Sequence, residues 1–233
     1  MDGLREGLQA FAAKTRFRKF YAAHAAYYDS LKARLTRFMP VGKIWQWCER
    51  EFPARYDSYR VKFSPLAHRS HSANHFEDNG FAEAAIFISP ARHFPGQNDW
   101  VTTRLNTRIV FTEIDHNYVN PVSETYASRV AEIFADRGRW VTDGYSSGYD
   151  TPLLIFNEYM TWAVFTLYCL EHFSAEDQAI ILRTTQEFMV GHRGLKNFPA
   201  FSAKLVELYG NRKNGQKISD LYDGMLAWGA TAR

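Results

Sequence analysis

The chain has 233 residues and a net charge of +3, with 13 Tyr and 18 Phe spread along its length. That length supports one domain with a sizeable core, and the aromatic content excludes a disordered tail. The small net charge argues against a nucleic-acid partner, no run of 18 uninterrupted apolar residues predicts a membrane span, and the charged start Met1-Asp2-Gly3-Leu4-Arg5-Glu6 shows no signal peptide.

Residues 3 to 38 read as helix, broken near Lys14-Thr15. Apolar residues recur at helical spacing from Leu8 and Phe11 through Phe17, Phe20 and Tyr21 to Leu31 and Leu35. The cluster Arg16, Arg18 and Lys19 reads as a solvated face with snorkelling stems rather than a nucleic-acid surface. A second helix spans about Lys43 to Phe52, before Pro53. Residues 1 to 55 therefore read as N-terminal helices packing on a core domain of residues 56 to 233, the two forming one unit. Cys48 and Cys169 fall in apolar helical sequence, as reduced core residues would.

The period then changes. Ser58 to Phe63 alternates as a strand, and Ala84 to Ile88 is a short β-rich run. The segment from Ser64 to His75 reads as a polar loop carrying His68, His71 and His75. Asn98 or Asp99 caps a helix from about Trp100 to Tyr118, which Asn120-Pro121 should stop. A polar, Gly-containing segment from Arg137 to Asp150 leads to a helix capped by Asp150 or Thr151, with Pro152 in its first turn, and running to about His172. Ser174 caps the next, which ends at Gly191; Pro199 to Tyr209 and Ile218 to Trp228 complete the chain. The sum is an α+β fold, mostly helical, with a small mixed sheet before the helix at residues 100 to 118.

That helix carries Thr112-Glu113-Ile114-Asp115-His116. The string is the H-E-x-x-H signature of zinc peptidases with Thr112 in place of the first histidine. Residues three and four apart share a helix face, so Thr112, Glu113 and His116 point together. His116 is a candidate ligand and Glu113 a candidate general base; Thr112 binds zinc poorly. Asp115 faces away from Glu113 and reads as a supporting or surface acid. Downstream, Glu158 is the one acid in an otherwise apolar helix before Glu171. A buried carboxylate needs a partner, a proton or a cation. His71, with His75 and His68 as alternatives, could supply the missing ligand. Gly144-Tyr145-Ser146-Ser147-Gly148 also matches a serine-hydrolase elbow, but little parallel sheet precedes it; a loop lining a cleft is the better reading.

Phe111 to Pro121, with Asn157-Glu158-Tyr159 downstream, resembles a bacterial domain-of-unknown-function family of zincin-like metallopeptidases. Its members carry H-E-[FI]-x-H-x-[FY]-x-N-P and a later N-E-Y. Phe20-Tyr21, Tyr27-Tyr28, Phe63-Ser64-Pro65-Leu66 and His71-Ser72 extend the likeness over roughly residues 11 to 190. The resemblance implies a zincin-type core, His116 and Glu158 as ligands, Glu113 as base, and relatives that are often exported. Thr112 departs from the pattern, so either another residue completes the site or activity is lost.

The expectation is a metal-dependent hydrolase, a peptidase acting on a peptide or protein with zinc or another divalent metal. His71 or Tyr149 would stabilise the oxyanion, and Ala84 to Ile88 would offer a sheet edge to the substrate. The alternative is an inactive relative that binds peptides or acts as a scaffold.

Overall fold

The computed structural model describes residues 2–64, 71–89, 95–96, 98–144 and 149–232. Eleven α-helices and three strands are described. Four helices come first: α1 (Asp2–Lys14), α2 (Phe17–Ala23), α3 (Ala25–Phe38) and α4 (Val41–Glu51). The first break falls at Arg16, whose φ of 53° is left-handed, and a second interrupts the helix at His24. Leu35 and Phe38 on α3, with Ile44, Trp47 and Cys48 on α4, enter the core, whereas α2 has no buried residue.

Strands β1 (Ser58–Phe63), β2 (Ser72–Asp78) and β3 (Phe81–Ile88) form one sheet in the order β1-β3-β2. β1 runs parallel to β3 and β2 antiparallel to it, giving the mixed sheet of an α+β fold. β2 corrects the loop reading at residues 72 to 75; residues 65 to 70 lie outside the described residues. Its turn, Asn79-Gly80, has positive φ at both residues (49° and 80°), the geometry that twists a two-residue hairpin correctly. The hairpin also places β3 at the centre of the sheet, so Ala84 to Ile88 offers no edge; the edges belong to β1 and β2.

α5 (Asp99–Thr125) is capped as its sequence suggests, Val101 N donating to Asn98 Oδ1 at 2.9 Å. It does not stop before Pro121 but runs through it. Proline has no N–H for the carbonyl four residues back. That carbonyl, on Asn117, instead accepts the Tyr56 hydroxyl at 2.6 Å, so no buried acceptor is left orphaned and the helix continues. α6 (Ala127–Ile133) and the single turn α7 (Arg137–Trp140) follow.

α8 (Pro152–His172) is the central helix. Thr151 caps it, and Ile155 to Cys169 are all buried. By length and mean hydropathy it is apolar enough to cross a membrane, which a search for uninterrupted apolar runs overlooks, but α5, α6, α9 (Ala175–Gly191) and α10 (Phe198–Gly210) pack around it. A helix apolar all round is what such a central position requires. A 3₁₀ turn (Ile218–Leu221) and α11 (Tyr222–Thr231) close the chain.

Large aromatic side chains bind these layers. Phe111 of α5 meets Trp47, Phe165 and Tyr168, and Phe134 stacks on Trp140 at 4.0 Å. Tyr159 does more than fill space: its hydroxyl donates to the Trp140 carbonyl at 2.7 Å and accepts Asn197 N at 3.1 Å. It thereby ties α8 to the segments flanking α7 and α10. Cys48 and Cys169 are buried free thiols.

Asp115, read from the motif as a supporting or surface acid, lies wholly inside this core, which overturns the surface alternative. Neither carboxyl oxygen has a hydrogen-bond partner among the described residues. Burial, reinforced by Glu113 and Glu158, pushes its pKa well above the ordinary 3.8. A raised folded-state pKa means stability is greatest below the unfolded value and falls as pH climbs from there toward the folded value. Asp115→Asn keeps the neutral shape and removes that loss. Denaturant unfolding from about pH 5 to about pH 7 should show the variant gaining on the parent by up to about 1.4 kcal/mol per pH unit; parallel profiles would show that Asp115 is ionised in the fold.

Candidate functional site

α5 and α8 pack side by side, and their polar residues meet at a cavity of about 340 Å³. Thr112, Glu113, His116 and Asn120 line it from α5, Glu158 and Trp162 from α8, and His71, Ser72 and Ala73 from the start of β2. Arg193 completes the wall. The helical i, i+3, i+4 spacing puts Glu113 and His116 on one face, and the same spacing sets Trp162 one turn beyond Glu158.

The two central side chains are held from behind. His116 Nδ1 lies 3.3 Å from Asn120 Oδ1 and 3.3 Å from Thr161 Oγ1. With Asn120 Oδ1 as acceptor, Nδ1 carries the proton and Nε2 presents its lone pair. Glu158 is similarly fixed through one oxygen: Oε1 accepts Trp162 Nε1 at 2.8 Å and Arg193 Nη1 at 2.7 Å. Its Oε2 faces His116 Nε2 at 3.9 Å, too far for a hydrogen bond.

Three carboxyls crowd the α5–α8 seam. Burial raises the Glu113 pKa to about 8, with Glu158 adding to the shift and Arg193 opposing it. Burial also raises Glu158, while His116 and the Trp162 hydrogen bond pull it back. The site thus favours a proton or a cation near these acids.

Arg193 was not legible as a site residue. It follows α9 and is turned inward before Gly194, whose φ of 68° a side chain would strain. The guanidinium lies over Trp162 and Phe188, at 5.6 and 5.5 Å. The only sequence signal was the helix stop around Gly191 to Gly194.

The other candidates divide. His71 lines the cavity and its ring engages Ser89, Nε2 to Oγ at 3.3 Å; among the described residues it forms no metal-binding group of three with His116 and Glu158. His75 is on exposed β2, paired in register with Ala84 and 6.4 Å from the Tyr56 ring, and does not line the cavity. Tyr149 sits behind Arg193, which donates to its hydroxyl, and does not line the cavity either. Thr112 lines it, yet its hydroxyl donates back to the Ile109 carbonyl at 3.1 Å. His68 and residues 145 to 148 of the Gly144–Gly148 motif lie outside the described residues.

The donor set fits a divalent cation in part. His116 Nε2 and Glu158 Oε2 are a nitrogen and an oxygen donor of the right chemistry, each oriented through its other polar atom, as ligands of metals commonly are. Among the described residues no third His, Cys, Asp or Glu joins them in a metal-binding group. No protein family, curated protein or solved structure matches this chain.

Proposed function

We propose that this cavity is the site of a metal-dependent hydrolase with a zincin-like arrangement, acting on peptides. The observation that carries the reading is the pair His116 Nε2 and Glu158 Oε2, facing each other without a hydrogen bond while each is fixed from behind. These two residues would hold the cation, zinc by default for a His and carboxylate pair, with manganese, iron or nickel as other fits. When bound, it supplies Lewis-acid polarisation of the scissile carbonyl and of water.

The remaining work falls to the chain. Glu113 takes the proton of the attacking water and delivers it to the leaving amine, a role suited to a carboxylate whose proton affinity lies near neutrality. Arg193 and Trp162 hold Glu158 in one rotamer and leave one oxygen turned inward. An extended peptide pairs along the edge of β2, where Ser72 and Ala73 border the cavity. His71, at the same border, would donate to the developing oxyanion on turning from Ser89, which engages both its ring nitrogens.

Two observations favour the inactive alternative. Thr112 is turned to its own helix, and Arg193 already provides Glu158 with a counter-charge. On that reading the cavity binds peptides without cleaving them. Incubating the zinc-loaded protein with a broad peptide library separates the two: cleavage that stops on chelation supports the hydrolase, and peptide binding without cleavage supports the alternative.

A further inference from the structure

α1 and α2 stand apart from the chemistry just described. Every residue from 3 to 23 is exposed except the half-buried Ala12. The left-handed corner at Arg16 folds α2 against α1, so Leu4, Leu8 and Phe11 of the first helix share a groove of about 1390 Å³ with Phe17 and Tyr21 of the second. Leu4 and Leu8 are 72 and 60% exposed, and Phe11 and Phe20 more than half. Folded chains rarely leave so contiguous an apolar surface to water unless something covers it.

The charge says what. Residues 2 to 23, the span of α1 and α2, hold five basic side chains, Arg5, Lys14, Arg16, Arg18 and Lys19, against the two acids Asp2 and Glu6, an excess equal to the +3 of the whole chain. Arg16, Arg18 and Lys19 rim the apolar groove itself. Their long stems extend apolar contact while their heads stay at a polar plane. An apolar stripe with leucine and aromatic residues, flanked by cations and free of packing against the core, matches the acyl boundary and the anionic headgroups of a bilayer surface together.

We propose that α1 and α2 form a hairpin that docks the protein on anionic lipid surfaces, lying in the interface rather than spanning it. The inference is independent of the chemistry proposed for the cavity.

Co-sedimentation of the full chain with phosphatidylcholine vesicles, with and without phosphatidylserine, tests it. Binding is expected only with phosphatidylserine and should weaken with salt. Replacing Arg16, Arg18 and Lys19 together by alanine should lower vesicle affinity about 100-fold, at about fivefold per basic residue. Leu8→Asn with Phe11→Asn should also abolish binding, with the far-ultraviolet circular dichroism unchanged, since these side chains pack on nothing in the core. Failure to bind anionic vesicles would overturn the proposal, as would binding indifferent to both sets of substitutions. Self-association that is lost in the Leu8 and Phe11 variant, without vesicle binding, would assign the hairpin to a second copy of the chain instead.

Discussion

Glu113→Gln should lower peptide hydrolysis by about 100- to 10,000-fold, the range for removing a general acid–base group. The substitution is a clean one. Burial and Glu158 raise the Glu113 pKa to about 8, so near pH 7 only the ionised minority of the free site can act as base, and the rest is already neutral. Glutamine keeps that charge state and shape, and Glu113 has no part in holding Glu158, which rests on Trp162 and Arg193. Stability and zinc binding should therefore stay near those of the parent while turnover falls. Steady-state kinetics on a cleaved peptide checks this; full activity in the glutamine variant would remove Glu113 from the mechanism.

Thr112→His should raise zinc affinity about 100-fold. Position 112 lines the cavity one helical turn before His116, on the same face of α5, and its present hydroxyl is spent on the Ile109 carbonyl. Structural zinc sites bind with about 10–16 kcal/mol shared among four ligands, or about 3 kcal/mol each, which corresponds to a factor of 100 or more. A histidine added beside two standing donors should realise much of that. Competition titration with a chromogenic chelator measures it. An affinity no higher than the parent's would place the cation, if any, away from the His116 and Glu158 pair.

The α+β class, the caps at Asn98, Thr151 and Ser174, and the buried character of the helix around Glu158 could all be read from periodicity and capping residues. Those are local signals. What escaped was set by distant partners. Pro121 should end a helix on local grounds, and only the Tyr56 hydroxyl, 65 positions earlier in the chain, makes its continuation affordable. β2 hid among polar and histidine residues because both its faces are largely exposed, leaving no alternation of apolar and polar positions; the Asn79-Gly80 turn was the signal available. Missing β2 is also why Ala84 to Ile88 was expected to be an edge.

The site shows the same division. Thr112, Glu113 and His116 share a face by helical geometry alone, and Glu158 stood out as a lone acid among apolar residues. Arg193 could not be inferred, because nothing in its neighbourhood encodes that the turn after α9 reaches α8. Asp115 misled for a related reason: motif spacing fixes which way a side chain points, but not whether another helix covers it, and here the core closes over it.

The central claim is that His116 and Glu158 together hold a divalent cation. The most direct measurement is the zinc content of the protein purified without chelators, compared with that of His116→Ala. The account predicts one zinc per chain in the parent and none in the variant. A parent without stoichiometric zinc that also fails to bind it on titration, or a variant that retains it, would contradict the account.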